Sequence, residues 1–137
     1  MSDNGLITVR CERPVRETVD RLAEVVAAAG LTVFGRVDHG GNAAAVGMEL
    51  RPTELLIFGN PLGGTPLMQD QQTAGIDLPV KALIWEDADG TVWLTYNDAE
   101  WLAQRHGLGP QSHDAVEALS RGLTTVTHKA AAADPAN

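Results

Sequence analysis

Two spacings of apolar residues alternate along this chain, and each change of spacing marks the edge of an element. Leu6 to Cys11 mixes apolar and polar positions with strong β-branching, which predicts a first strand. Behind Pro14, the residues Val15, Val19, Leu22, Val25 and Val26 fall at helical spacing as far as Gly30. Proline at the start and glycine at the stop predict an amphipathic helix between them. Leu31 to Val37 predicts a second strand, ending at Asp38-His39-Gly40-Gly41. Asn42 is placed to cap a short helix over Ala43 to Met48, packed through Ala43, Val46 and Gly47. Glu54 to Phe58 is almost continuously apolar, the pattern of a strand inside a sheet.

After Gly59 a helix is expected to begin at Asn60 or at Thr65, with Pro66 early in it and Leu67 and Met68 buried. Gln71 and Gln72 are its exposed end, and Gly75 stops it. Asp77 to Pro79 turns the chain into a fourth strand, Val80 to Glu86. Asp87-Ala88-Asp89-Gly90 is a hairpin signal, and Thr91 to Tyr96 alternates as the returning strand. Asn97 or Asp98 caps a helix that runs to His106 and ends at Gly107. A last helix starts near Ser112 with Val116, Leu119 and Leu123 as its apolar stripe, and residues 130–137 are expected to fray. A hairpin among helical connections predicts the α+β class: a single domain over residues 1–137, one mixed β-sheet, and helices packed mainly on one face.

Composition narrows the function classes. At 137 residues the chain is long enough for one sizeable core. A formal charge of −8, with no cluster of Lys or Arg, argues against a partner bound through a phosphate backbone, so no nucleic acid is expected. Cys11 is the single cysteine, which rules out an intramolecular disulfide and a thiolate metal knuckle within one chain. The first residues lack the basic and apolar regions of a secretory signal, and no apolar run approaches a membrane span. The expectation is a cytoplasmic protein with no membrane partner.

The candidate chemistry centres on Gly59-Asn60-Pro61-Leu62-Gly63-Gly64-Thr65, a glycine-rich passage from strand to helix. Such a junction can offer unpaired backbone N–H groups to an anion. It is not a phosphate-binding P-loop, because Thr65-Pro66 follows Gly64 where lysine and a hydroxyl residue are needed, and its glycines miss the dinucleotide spacing. The ligand-contact candidates are Asn60, Gly64 and Thr65. The competing reading is a tight turn in which Asn60 merely caps the helix. His39, between a strand and two glycines, is the candidate general base, with Glu54 as its orienting carboxylate. Glu49 and Glu54 stand ten and fifteen residues after His39, a spacing that fits no local metal motif, so no metal is expected. His106 is explained by its place at a helix end, and Cys11 by burial as a small apolar residue. Trp85, Trp93, Tyr96 and Trp101 sit among acidic residues, which suits a core or a dimer contact better than a nucleobase platform.

Several of these segments together resemble the DUF302 family, whose fold is grouped as TT1751-like. They are Val37 to His39, Leu50 to Pro61, Gly64 to Gln69, Ala74 to Pro79, Leu83 to Glu86, Val92 to Asp98 and Arg105 to Leu108, strongest over residues 32–108. The resemblance implies a small α+β domain that tends to form a homodimer. It implies no reaction, leaves the cofactor unknown, and singles out His39, Glu54, Asn60, Thr65 and Asn97 as embedded polar positions without a role. Asn97 thereby joins the ligand-contact candidates. The resulting expectation is a dimeric module that binds a small polar ligand or regulates through one, in a cleft shared by the Asp38-His39 and Gly59–Thr65 loops. Two alternatives stand beside it: a small enzyme using His39 with Glu54, and a protein-interaction domain.

Overall fold

The computed structural model describes residues 4–133 and contains one five-stranded sheet with the spatial order β1-β5-β4-β3-β2. The strands are β1 (Leu6–Cys11), β2 (Thr32–Asp38), β3 (Thr53–Gly59), β4 (Val80–Glu86) and β5 (Val92–Asn97). The helices are α1 (Val15–Ala28), α2 (His39–Ala45), α3 (Pro61–Asp70), α4 (Ala99–His106) and α5 (His113–Ala131). The α+β class and the single sheet agree with the sequence. The expected mixed pairing does not, since every ladder is antiparallel. The first two strands, which α1 joins, occupy opposite edges of the sheet and never pair, so no parallel ladder arises.

Alternation along the strands decides where the core sits. Leu56, Phe58, Ala82, Ile84, Leu94 and Tyr96 all point to one face and are buried there. The apolar stripe of α1, through Val15, Val19, Leu22 and Val26, covers that face. Gly30 ends α1 with φ +79°, and the Gly30 and Leu31 N–H groups donate back to the Ala27 and Val26 carbonyls, each at 3.0 Å. α5 packs beside α1 and buries Val116, Leu123 and Val126, and its last turn is not frayed: Ala130 and Ala131 are buried, and the Ala131 carbonyl accepts the Glu12 N–H at 2.9 Å. Residues 134–137 of the expected tail lie outside the described residues.

Two local expectations shift. The short helix after β2 starts at His39, because the Asp38 side chain accepts the Gly41 N–H at 2.8 Å and takes the capping place expected of Asn42. It buries none of its residues, and Val46, expected to pack, is exposed. At the other end of the sheet Asp98, one of the two expected capping residues, caps α4 and accepts the Glu100 N–H at 3.1 Å. The hairpin forms as expected, with the Asp87 carboxylate accepting the Asp89 and Thr91 N–H groups and Trp93 donating its indole N–H to the same side chain at 2.8 Å. That indole bond, ahead of the backbone donors, holds the Asp87 pKa below its ordinary value.

Cys11 lies buried where β1 meets the core, and burial pushes its thiol up to about 11. A thiol held neutral is a poor nucleophile. Iodoacetamide is therefore expected to label Cys11 slowly in the native protein at pH 8 and rapidly once the chain is unfolded in guanidinium. Fast native labelling would contradict the burial.

Candidate functional site

The register of β2 against β3 separates the two loops that were expected to share a cleft. Thr32 pairs with Gly59, while Asp38 pairs with Glu54, at the opposite end of the ladder. Glu54 and Gly59 are five residue steps apart along the strand, about 17 Å. His39 is therefore remote from Asn60 and Thr65. A single cleft holding all three does not exist.

Glu54 points into the helix-covered face, and its carboxylate is taken by two guanidinium groups. Arg36 Nε donates to it at 3.0 Å from the neighbouring strand, and Arg16 Nε at 3.2 Å from α1. Arg36 also reaches Asp20 at 2.7 Å, and Arg16 reaches Asp38 at 3.4 Å. Burial opposes the charge on Arg36, but the hydrogen bonds to Asp20 and Glu54 outweigh it and hold its pKa above the ordinary value. His39 is exposed and has no hydrogen bond or ion pair among the described residues. Glu54 thus serves as the charged pin between α1, β2 and β3 rather than as the orienting partner of a base. Replacing Glu54 by Ala strands two arginines, one of them largely solvated, and is expected to cost about 2 kcal/mol of stability in urea unfolding.

The second histidine cluster is bracing of the same kind. His106 Nε2 lies 2.5 Å from Asp77 Oδ2, Thr73 Oγ1 lies 3.3 Å from His106 Nδ1, and Arg105 Nη1 donates to both Asp77 oxygens at 3.2 Å. The row hydroxyl–imidazole–carboxylate resembles a hydrolytic triad. However, the hollow beside it measures about 10 Å³, barely enough for one water molecule, so no substrate can sit there. His106, read from sequence as a structural helix-end residue, does end α4 and also ties it to the 3-10 turn Gln72–Asp77. On the surface, His113, Asp114 and Glu117 bring three ligand atoms within 4.8 Å of one another, all exposed, and His113 already pairs with Glu117 at 3.0 Å.

A sizeable cavity, about 550 Å³, opens at the end of the sheet where β3 leaves and β4 enters. Its floor is Phe58 and Val80, one wall is α3, and the other is the face of α5 that carries Ala115, Ala118, Leu119 and Gly122. Phe34 stands at the rim, on the bulge that shifts the β2–β3 register between Val33 and Gly35. Asn60, Gly64 and Thr65 all line this cavity, so the structure brings these three candidates together. Asn97 is elsewhere, paired with Leu6 at the end of β5 and turned to the uncovered face.

The cavity is not an anion site. Pro61 has no N–H, the Leu62 N–H donates to Asn60 Oδ1 at 2.9 Å, and the Gly63 and Gly64 N–H groups donate to the Asn60 carbonyl at 2.9 and 3.0 Å. The donors that the glycine-rich junction promised are thus taken by Asn60. No lining residue carries a charge, and Asn60 and Thr65 supply the only polar side chains. What remains is an apolar hollow between two helices.

Its α3 wall is weak by composition, with Gly63, Gly64 and Pro66 inside ten residues. It is held at its ends instead. Asn60 caps the start, and at the finish Asp70 accepts the Gly109 N–H at 2.8 Å, the Ser112 hydroxyl at 2.7 Å and the Gln111 amide at 2.9 Å. Sequence reasoning did not single out Asp70, Phe34, Ala118 or Gly122. Gly122 carried a usable signal: a glycine in the middle of a helix costs about 1 kcal/mol relative to alanine and asks for a reason.

The family model described as "Domain of unknown function DUF302" matches residues 7–126, and the chain belongs to that family. It is 54% identical over 129 residues to "Fluoride-specific ion channel FluC 1" of Brucella suis biovar 1 (strain 1330), covering 94% of this chain and 51% of that protein. It is equally similar to "Fluoride-specific ion channel FluC 2" of Brucella melitensis biotype 1 (strain ATCC 23456 / CCUG 17765 / NCTC 10094 / 16M), 54% over 129 residues, covering 94% of this chain and 48% of that one. The chain spans about half the length of the curated relatives it matches. Among solved structures, an uncharacterized conserved DUF302 protein from Bacillus stearothermophilus superposes with TM-score 0.81 at 18% identity, over 92% of this chain and 98% of that chain, and so shares the fold. No helix among the described residues is long and apolar enough to cross a membrane.

Proposed function

We propose that this DUF302 domain is a non-enzymatic binding module whose ligand is a small apolar molecule held between α3 and α5. The observation that carries this reading is the cavity of about 550 Å³, without a charged lining residue. That volume falls in the range of about 300–1,000 Å³ used for drug-sized ligands. The polar ligand expected from Asn60 and Thr65 gives way to an apolar one, because Asn60 Oδ1 is engaged at the helix cap and its neighbours are hydrocarbon. The enzyme alternative has little support: His39 has no partner among the described residues, Glu54 is held by two arginines, and the Thr73–His106–Asp77 row has no room beside it.

The relatives named fluoride-specific ion channels bear on this reading by contrast. Fluoride is a small, strongly hydrated anion that needs a cation or several N–H donors. The cavity offers neither. If the domain works beside a channel as a regulatory part, the signal it takes is a different molecule from the ion.

The test uses N-phenyl-1-naphthylamine, an uncharged probe that brightens in apolar surroundings. Wild-type protein is expected to take it up saturably at one site. Ala118→Trp, which places an indole in the groove from an exposed helix position, is expected to weaken uptake about ten-fold or more while the melting midpoint holds. Equal uptake by the variant would remove the cavity as the site.

A second role, homodimer contact, is favoured by the uncovered sheet face. Leu55, Ile57, Leu83, Trp85 and Trp93 are half-exposed there, outside the helical layer. The two indoles stand 6.5 Å apart and donate their N–H groups within the chain, to Thr95 and Asp87, so only their ring surfaces are left for a partner. Leu83→Glu is expected to convert the protein to a folded monomer in analytical ultracentrifugation. A wild-type chain that is already monomeric at 100 μM would refute the contact.

A further inference from the structure

Three features lie outside the cavity: the exposed His113–Asp114–Glu117 cluster, the Asp77–His106 brace, and the apolar tip Val46, Met48 and Leu50. The first is surface-exposed with its histidine already paired, the second has no adjoining space, and nothing on the tip indicates what would cover it. The cavity itself carries more, because its shape follows from particular residues.

We infer that the cavity takes an extended, uncharged alkyl chain lying along α5, and that Gly122 makes the room for it. This deepens the apolar-ligand reading and rests on it. Ala115, Ala118, Leu119, Gly122 and Leu123 all line the hollow, so it follows α5 over nine residues, about 12 Å. A hollow of that length suits a chain better than a compact ring of equal carbon count. The small residues at positions 115, 118 and 122 recur on one side of the helix and keep the hollow open along its length.

Gly122 is the informative one. It lies in the interior of α5, is not among the residues with positive φ, and a Cβ built on it meets nothing within 4 Å. Neither backbone conformation nor packing inside the chain requires a glycine there. Its open, exposed face leaves room for a ligand to pass close to the helix backbone. The absence of any charged lining side chain leaves a buried ionic group without a partner, and the net charge of −8 adds to the cost of bringing in an anion.

The test is a titration of the whole chain with 1-octanol, octanoate and cyclooctanol, read by displacement of N-phenyl-1-naphthylamine and by calorimetry. The expected order is 1-octanol tightest, with cyclooctanol and octanoate each weaker by about ten-fold. Gly122→Ala is expected to raise the melting midpoint by about 3 °C and to weaken 1-octanol several-fold. Gly122→Val is expected to abolish octanol displacement while the protein stays folded, since valine is no worse than glycine in a helix. Cyclooctanol binding as well as 1-octanol overturns the extended shape, and octanoate binding equally well overturns the uncharged class. Undiminished octanol binding by Gly122→Val overturns the placement along α5, even where the naphthylamine probe still binds and the cavity reading stands. Wild-type protein that takes up neither probe nor octanol sinks both.

Discussion

An antiparallel sheet that buries only one face must sort its side chains strictly by parity, and this sorting governs the rest of the molecule. Leu56, Phe58, Ala82, Ile84, Leu94 and Tyr96 go under α1 and α5, so Leu55, Leu83, Trp85 and Trp93 are forced to the other side. Glu54 shares parity with Leu56 and Phe58, which puts a carboxylate in the buried row. A buried carboxylate is tolerable only when its charge is met, and Arg16 and Arg36 meet it from two different elements. The pair therefore fixes how α1 sits over β2 and β3. A one-residue slip of β3 would expose Phe58 and tear Glu54 from both arginines together.

The same parity rule explains why the cavity lies where it does. α1 and α5 cover the middle of the sheet, and the end at Gly59 and Val80 falls to α3. That helix buries Leu67 but leaves Leu62 exposed, and its glycines and internal proline give it little tendency to form alone. A stronger, more apolar helix would close down on α5 and gain roughly 25 cal/mol for every Å² removed from water. Asn60 and Asp70 fix its ends instead, which keeps the wall in place without drawing it inward.

The sheet and its helices were legible in the sequence because period and punctuation agree there: the Val15–Val26 stripe before Gly30, the alternation from Val92 to Tyr96, and the Asp87–Gly90 turn all formed as read. The pairing direction was not legible, since it depends on α1 carrying the chain from one edge of the sheet to the other, a long-range outcome that no local residue encodes. The site was half legible. Asn60, Gly64 and Thr65 do line one cavity, but their setting was misjudged for two physical reasons. Asn60 satisfies the helix donors that an anion would have used, and the β2–β3 register carries His39 to the far end of the ladder. The opposite wall went unread because Leu119 follows the same helical stripe as Val116 and Leu123, and spacing alone does not distinguish a residue that meets the core from one that meets a gap.

Leu123 is where the cavity and the core become one system. It lines the hollow, yet it is buried with Val126 and Ala130 in the cluster that α1 and the sheet complete. α5 in turn reaches β1, through the Glu12 N–H donated to the Ala131 carbonyl, and the start of α5 is strapped to α3 by Asp70. Occupancy of the cavity would therefore act on a helix whose displacement disturbs both β1 and α3. A molecule touching α3 alone would damp only local opening of a weak helix. One lying against α5 binds a surface that exists only while the core is formed, so its binding free energy adds to the stability of the whole domain by mass action. Global unfolding, rather than protection of the α3 segment, is therefore the observable that separates a ligand seated in the hollow from one resting at its rim.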